Sequence, residues 1–190
     1  MRVFDRYSRM VLLLAGMAVV WTALSAAGSQ APASQSTAPA QSAVERGKYF
    51  VLAQDCNGCH TPFKNGEPDM TRMLSGHPQD ITITAAPKLP PGWAVSISDT
   101  NTAWSGPWGI SFTTNLTPDR DTGIGRWTED VFVKTIRNGK HLGGGRGLLP
   151  PMPWKMYSNL TDADLQAIYA YLKTIPAIKN KVPSPMPARK

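Results

Sequence analysis

The sequence predicts an all-α domain of three main helices interrupted by one long irregular loop. Three observations carry that expectation. Apolar residues recur with helical period in three segments, near 43–54, 128–139 and 161–176. Between the first two, residues 61–111 keep no lasting period and are rich in proline and glycine, with Trp93, Trp104 and Trp108 among them. The only two cysteines, Cys56 and Cys59, stand together in "CNGCH", just after the first helical segment.

Residues 1–27 read as an export signal. Arg2, Arg6 and Arg9 give a basic start, Met10–Ala27 carries no charge, and the small residues Ser25 and Ala27 suit cleavage after Ala27. The apolar run of 18 residues is also just long enough to span a bilayer, so a retained N-terminal membrane anchor is the alternative. Residues 28–41, "GSQAPASQSTAPAQ", have the composition of a linker. A domain over 42–178 and a Pro/Lys tail over 179–190 complete the chain. The formal charge of +7 is scattered rather than clustered. With no aromatic-interleaved basic helix, nucleic acid is not expected as a partner; the scattered charge reads either as a solvated surface or as a face that docks an acidic protein.

In the first helix, Ala43, Gly47, Phe50, Val51 and Gln54 share one face. Gly47 on that face allows a second helix to approach closely. Short strands are expected near "DITIT" and "GISFTT" in the long loop. The second helix is capped by Thr128, carries Glu129 and Asp130 at its positive end, and stops at Gly139. Its inward stripe is Val131, Phe132, Thr135 and Ile136. Thr161 caps the third helix, Asp164 suits the reciprocal capping position, and Leu165, Ile168, Tyr169 and Leu172 form its apolar stripe before Pro176.

The chemistry rests on residues 56–60. C-x-x-C-H is the pattern of covalent c-type haem attachment. Two thiols three residues apart each form a thioether to a haem vinyl group, and His60 then sits under the iron as proximal ligand. One haem c consumes both Cys56 and Cys59. A zinc site would need two further ligands at defined spacing, and His77 and His141 do not supply them. A redox C-x-x-C would need a βαβ context, absent here.

The opposite face of the iron then needs a ligand. "GLLPPMPWKMYS" sets Met152 among Pro150, Pro151 and Pro153. Proline fixes φ and biases its predecessor toward extended backbone, so the segment reads as a stiff extended strap presenting one sulfur. Methionine with histidine is the ligand pair that raises a haem's potential. His141 is the rival ligand. His77 reads as structural, and Met70, Met73, Met156 and Met186 as core filler or surface residues. "GGGRG", 143–147, lacks the Lys-Ser/Thr ending of a phosphate loop and reads as a flexible turn, with Arg146 a free surface charge or, alternatively, a partner for a haem propionate.

These motifs, with "NLTPDRDTGIGRWTEDVF" and "LLPPMPWKMYSNLTDADLQAIYAYLK", resemble the exported class I cytochromes c, in particular the cytochrome subunits of membrane-bound alcohol and sugar dehydrogenases. The resemblance covers about 43–175. It implies the cytochrome c fold, with first and last helices packed together and Phe50 and Tyr169 as partners. It implies Cys56 and Cys59 as attachment points, His60 and Met152 as iron ligands, and Asn115, Leu116 and Trp127 bordering the pocket. The chain departs from those subunits in holding one such domain where they hold three, and in its loop, longer than in a minimal cytochrome c, whose tryptophans are expected to cover the haem, a partner surface being the alternative. The implied function is a periplasmic electron carrier between a dehydrogenase and an oxidase or another cytochrome of the respiratory chain, with no bond-breaking of its own. The alternative is a haem enzyme or gas sensor with a vacated distal site.

Overall fold

A computed structural model describes residues 41–188; the expected export signal and most of the linker lie outside the described residues. Five helices and two small sheets follow in chain order. The helices are α1 (Ala43–Ala53), α2 (Cys56–His60), α3 (Glu129–Asn138), α4 (Trp154–Tyr157) and α5 (Asp162–Leu172). The strands are β1 (Phe63–Lys64), β2 (Glu67–Pro68), β3 (Ser96–Ile97), β4 (Ala103–Gly106), β5 (Gly109–Phe112) and β6 (Met186–Pro187). Among the described residues no helix is long and apolar enough to cross a membrane.

The three expected helices are α1, α3 and α5, and local chemistry explains their ends. Ser42 and Glu45 form a full capping box at α1, written in the sequence as Ser-x-x-Glu. The Thr128 side chain accepts from the Val131 N–H, and Gly139 closes α3 at φ 61°, in the left-handed region. At α5 the Asp164 N–H donates to Thr161 Oγ1 at 3.2 Å. The reciprocal contact differs from a capping box: the Thr161 hydroxyl itself donates to Asp164 Oδ2, at 2.7 Å.

Helices α1 and α5 make the largest helix–helix contact. Gly47 is what lets them cross. A Cβ there would stand 1.8 Å from the Ala167 carbonyl oxygen and 2.9 Å from Tyr171 Cβ. Backbone cannot yield as a flexible side chain would, so Gly47→Ala is expected to cost about 2–3 kcal/mol, the upper part of the roughly 1–3 kcal/mol range of core overpacking. Guanidinium unfolding of the holoprotein measures it. The expected Phe50–Tyr169 pairing is replaced by two others. Phe50 meets Tyr49 edge-on at 5.6 Å, and Tyr169 lies 5.7 Å from Phe132 and donates its hydroxyl to the Trp127 carbonyl.

Arg46 reaches across the same crossing to the buried Asp164, with Nε donating to Oδ1 at 2.6 Å. The Thr161 hydroxyl, then burial's opposing effect, then Arg46 set this carboxyl's titration, and the net result is a pKa below the ordinary carboxylate value. A depressed folded-state pKa adds stability that is fully present above the unfolded value and is lost as pH falls through the folded one. Asp164→Asn is therefore expected to lower stability at neutral pH by about 1–2 kcal/mol and to flatten the acid limb of a stability–pH curve below about pH 4.

The long loop corrects the all-α expectation. Strands β3, β4, β5 and β6 form a four-stranded antiparallel sheet in that order. "GISF" is indeed a strand, β5, whereas "DITIT" is not. The sheet has its own apolar cluster of Ala103, Ile110 and Phe112, with Ile83, Val182 and Met186 packed against it. Two members of that cluster come from beyond residue 178, in the segment read as a tail. Asn180 there is fully buried and donates to the Ser75 and His77 carbonyls at 2.7 and 2.9 Å. That segment is tied to the loop by the Asn180 amide, by the Lys181 N–H, which donates to Gln79 Oε1 at 2.9 Å, and by the β5–β6 pairing.

The main core lies elsewhere. Val51 of α1, Phe132 and Ile136 of α3, and Leu165, Ile168 and Leu172 of α5 are buried together. These three helices wall one side of the candidate site.

Candidate haem site

The CNGCH segment forms a single helical turn because Asp55 prepares it. Asp55 sits in the left-handed region at φ 52° and its carboxylate accepts from the Gly58 N–H at 3.0 Å. Gly58 is required by that cap, since a Cβ there would stand 2.1 Å from Asp55 Oδ2. On one turn, residues i and i+3 are neighbours, so Cys56 and Cys59 are presented together. Asn101 of the loop donates to the Gly58 carbonyl, and the Gly76 N–H donates to the His60 carbonyl at 2.8 Å. The long loop thus clasps the turn from outside.

His60 Nδ1 lies 2.7 Å from the Thr114 carbonyl oxygen. A carbonyl only accepts, so Nδ1 carries the proton and Nε2 keeps its lone pair. Burial holds the imidazole below its ordinary pKa, against the raising effect of that hydrogen bond. The ring is neutral at physiological pH, as a metal ligand must be. A carbonyl at this position fixes the ring's tautomer and orientation, the kind of contact that orients an imidazole toward a metal.

Burial also raises the Cys56 thiol to about 11, with Asp55 and Cys59 adding to the effect. Cys59 is raised by burial and then by Asp55. Both thiols are neutral near pH 7. Tyr157, pushed up to about 12 chiefly by burial, donates to the Gln54 carbonyl at 3.2 Å and closes the nearby wall.

Cys56, Cys59, His60 and Met152 all line one cleft of about 170 Å³. Close-packed interiors leave few voids larger than a water molecule, so a cleft of this size among core helices is built to hold something. Its walls are mostly apolar, from Val51, Phe132, Ile136, Leu165 and Leu172. Leu116 and Trp127 border it as expected. Asn115 does not line it. It is fully buried behind, where its side-chain amide donates to the Ile178 carbonyl at 2.8 Å and its side-chain oxygen accepts from Thr117. Its role is to hold the 115–117 turn against the segment after α5.

The methionine segment is a turn rather than a straight strap. The Met152 N–H points back to the Leu149 carbonyl at 3.3 Å, and Trp154 opens α4 just after Pro153. Three prolines restrict the backbone as anticipated, but prolines also favour turns. "GGGRG" is likewise more structured than a flexible connection. His141 N–H donates to the Arg146 carbonyl at 2.9 Å, and Leu148 N–H to Gly139 at 2.8 Å.

His141 lines the same cleft and stands edge-on to Trp127 at 5.4 Å. Burial, then Arg146, lowers its pKa. Arg146 also lines the cleft. His77 is remote from it and structural: its ring nitrogens lie 2.9 Å from Thr102 Oγ1 and 3.1 Å from the Ile81 carbonyl. Trp93, Trp104 and Trp108 do not border the cleft, which overturns their expected role as haem cover. Trp93 is 71% exposed. Met70 and Met156 are exposed, while Met73 and Met186 pack against the two apolar clusters. Among the described residues, no three His, Cys, Asp or Glu side chains gather as a metal site of their own.

This donor set fits haem c: two thiols on one turn, an oriented neutral imidazole, a thioether from another element, and apolar walls. The sequence profile of cytochrome c matches residues 44–176. The chain belongs to the cytochrome c family. Members of that family carry electrons on covalently bound haem c and are not catalysts of bond cleavage. The chain is 32% identical over 152 residues to the fructose dehydrogenase cytochrome subunit of Gluconobacter japonicus, covering 77% of this chain and 25% of that one. It is 33% identical over 128 residues to the gluconate 2-dehydrogenase cytochrome c subunit of Pantoea cypripedii, covering 67% of this chain and 22% of that one. It is also 29% identical over 144 residues to the cytochrome c subunit of the quinone-dependent alcohol dehydrogenase of Gluconobacter oxydans, covering 74% and 23%. The chain therefore spans a quarter or less of the length of these relatives.

Proposed function

We propose that the protein is a single-haem cytochrome c that takes electrons one at a time from a periplasmic or membrane-bound dehydrogenase and passes them into the respiratory chain. The observation that carries this reading is the meeting of His60, with Nδ1 tied to Thr114, and Met152 on one cleft beside both cysteines. In this reading Cys56 and Cys59 hold the haem through two thioethers, and His60 and Met152 ligate the iron. Bound haem supplies a one-electron ferric–ferrous couple. The chain's own residues do the rest. The Thr114 carbonyl fixes the imidazole, the proline-rich turn limits movement of the sulfur, and the apolar walls exclude water. A neutral sulfur ligand and an apolar surround favour the less charged reduced iron and raise the potential.

Only two cysteines are present, which supports one haem. The relatives' names, as cytochrome subunits of dehydrogenases, support a dehydrogenase donor. The acceptor in this reading is an oxidase or another cytochrome. Residues 1–27 direct the chain to the periplasm, or hold it at the periplasmic face of the inner membrane if retained. Potentiometric titration followed by visible spectroscopy tests the reading. A single one-electron wave, low-spin in both oxidation states, is expected. A high-spin ferric spectrum that shifts readily on adding CO after reduction would favour a haem enzyme or gas sensor instead.

A further inference from the structure

One short stretch of chain, the end of β5 and the two residues after it, serves both sides of the cleft. Three residues after Ser111, the chain places the Thr114 carbonyl on His60. Ser111 itself, on β5, lines the cleft and is 8% exposed. Its Oγ donates to the Pro150 carbonyl at 2.6 Å, two residues before Met152. A serine hydroxyl has one proton. The competing acceptor, the Trp104 carbonyl, is at 3.4 Å, so the proton belongs to Pro150. The oxygen in turn accepts from Trp108 Nε1 at 3.3 Å.

The methionine turn has few other ways to be held by its backbone. Pro150, Pro151 and Pro153 have no N–H. The Met152 N–H is spent within the turn, on Leu149. The Pro150 carbonyl is the backbone group that another part of the domain grips, and Ser111 is the group that grips it. The serine side of the contact is buried and the Pro150 side is exposed, so removing the hydroxyl leaves the Pro150 carbonyl with water in place of a fixed protein donor and frees the turn to shift.

We propose that Ser111 is a positioning residue for the distal sulfur, and that the sheet built from the long loop is the scaffold that fixes Met152 relative to His60. This rests on the reading of Met152 as an iron ligand. Residues 111–114 are then one strut with two grips. The carbonyl of Thr114 sets the imidazole, and the hydroxyl of Ser111 sets the turn that delivers the thioether. The loop's extra length is explained as support for the ligand turn.

The test compares Ser111→Ala, Ser111→Thr and Met152→Ala holoproteins. Ser111→Ala removes one oxygen and leaves the β-ladder intact, so haem attachment, read by the pyridine haemochrome, is expected to be unchanged. The sulfur–iron charge-transfer band is expected to persist at neutral pH. Imidazole is expected to displace the sulfur from ferric iron about tenfold more readily than in the wild type, and Ser111→Thr, which keeps the hydroxyl, is expected to restore wild-type affinity. Guanidinium unfolding separates this from general loosening, which Gly47→Ala provides as a control: that variant loses stability without a matching rise in imidazole affinity. Wild-type imidazole affinity in Ser111→Ala, alongside a large rise in Met152→Ala, would overturn the positioning role and leave ligation standing. A Met152→Ala variant that keeps the band and the wild-type affinity would remove ligation, and the role of Ser111 with it.

Discussion

With Cys56 and Cys59 both replaced by serine, no stable holoprotein is expected to accumulate. The reason lies in where the cleft sits. Its walls are the inner faces of α1, α3 and α5, the same residues that form the main apolar core. A haem held there is part of the core. With about 170 Å³ of cleft left without a partner, its apolar walls lose their packing, at a cost of at most on the order of 4 kcal/mol, since the roughly 24 cal/mol per Å³ holds for an enclosed cavity. Domains of this size have about 5–15 kcal/mol in total. Loss of both thioethers therefore removes much of the folding free energy, besides releasing the haem. Expression with the c-type maturation machinery, followed by haem stain on a denaturing gel and circular dichroism of any recovered chain, checks both parts. Haem that stays on the denatured double variant would refute the attachment sites. A colourless variant as resistant to guanidinium as the wild type would refute the coupling of haem to folding.

The second large effect is expected from Met152→Ala. The variant should lose the sulfur–iron charge-transfer band, bind imidazole and CO, and fall in midpoint potential by on the order of 0.1 V or more, a part of the roughly 0.8 V that axial ligands span. The direction follows from replacing a soft sulfur by water or by a nitrogen ligand. His141 provides the comparison, because it lines the same cleft and is held neutral by burial. His141→Ala should keep the band and most of the potential. If the band survives in Met152→Ala and vanishes in His141→Ala, the distal ligand is the histidine and the role given to the proline-rich turn is wrong.

The parts of this structure that depend on near neighbours were legible in the sequence. Thr128, Gly139 and Thr161 act where a cap must act, and the apolar stripes of α3 and α5 and the Gly47–Val51 part of the α1 face point inward, while Ala43 is exposed. CNGCH is legible for the same reason, since a single helical turn needs only its own residues and Asp55. Met152 stood out because three prolines around one methionine is an unusual local pattern. That pattern did not distinguish a turn from a straight strap, because a proline accommodates both.

What escaped sequence reading is long-range or made of backbone. Strands of two to four residues are too short to show a period of two, and β6 pairs with β5 from more than seventy residues away. Asn180 is one amide in a Pro/Lys-rich segment, and nothing local marks it as buried. The Thr114 and Pro150 carbonyls carry no side-chain signature at all. The tryptophans of the loop misled because the residue type is buried on average, which does not say under which surface. Asn115 misled in the same way: it neighbours Leu116, yet its side chain faces the segment after α5 rather than the cleft.

The central claim is a haem bound covalently through Cys56 and Cys59. The most direct measurement is a pyridine haemochrome spectrum taken on the matured, purified protein after acid-acetone extraction and denaturation. The pigment is expected to stay with the polypeptide, with the spectrum of a haem whose two vinyl groups are saturated, at one haem per chain. Pigment that partitions into the acetone, leaving a colourless polypeptide, would contradict it.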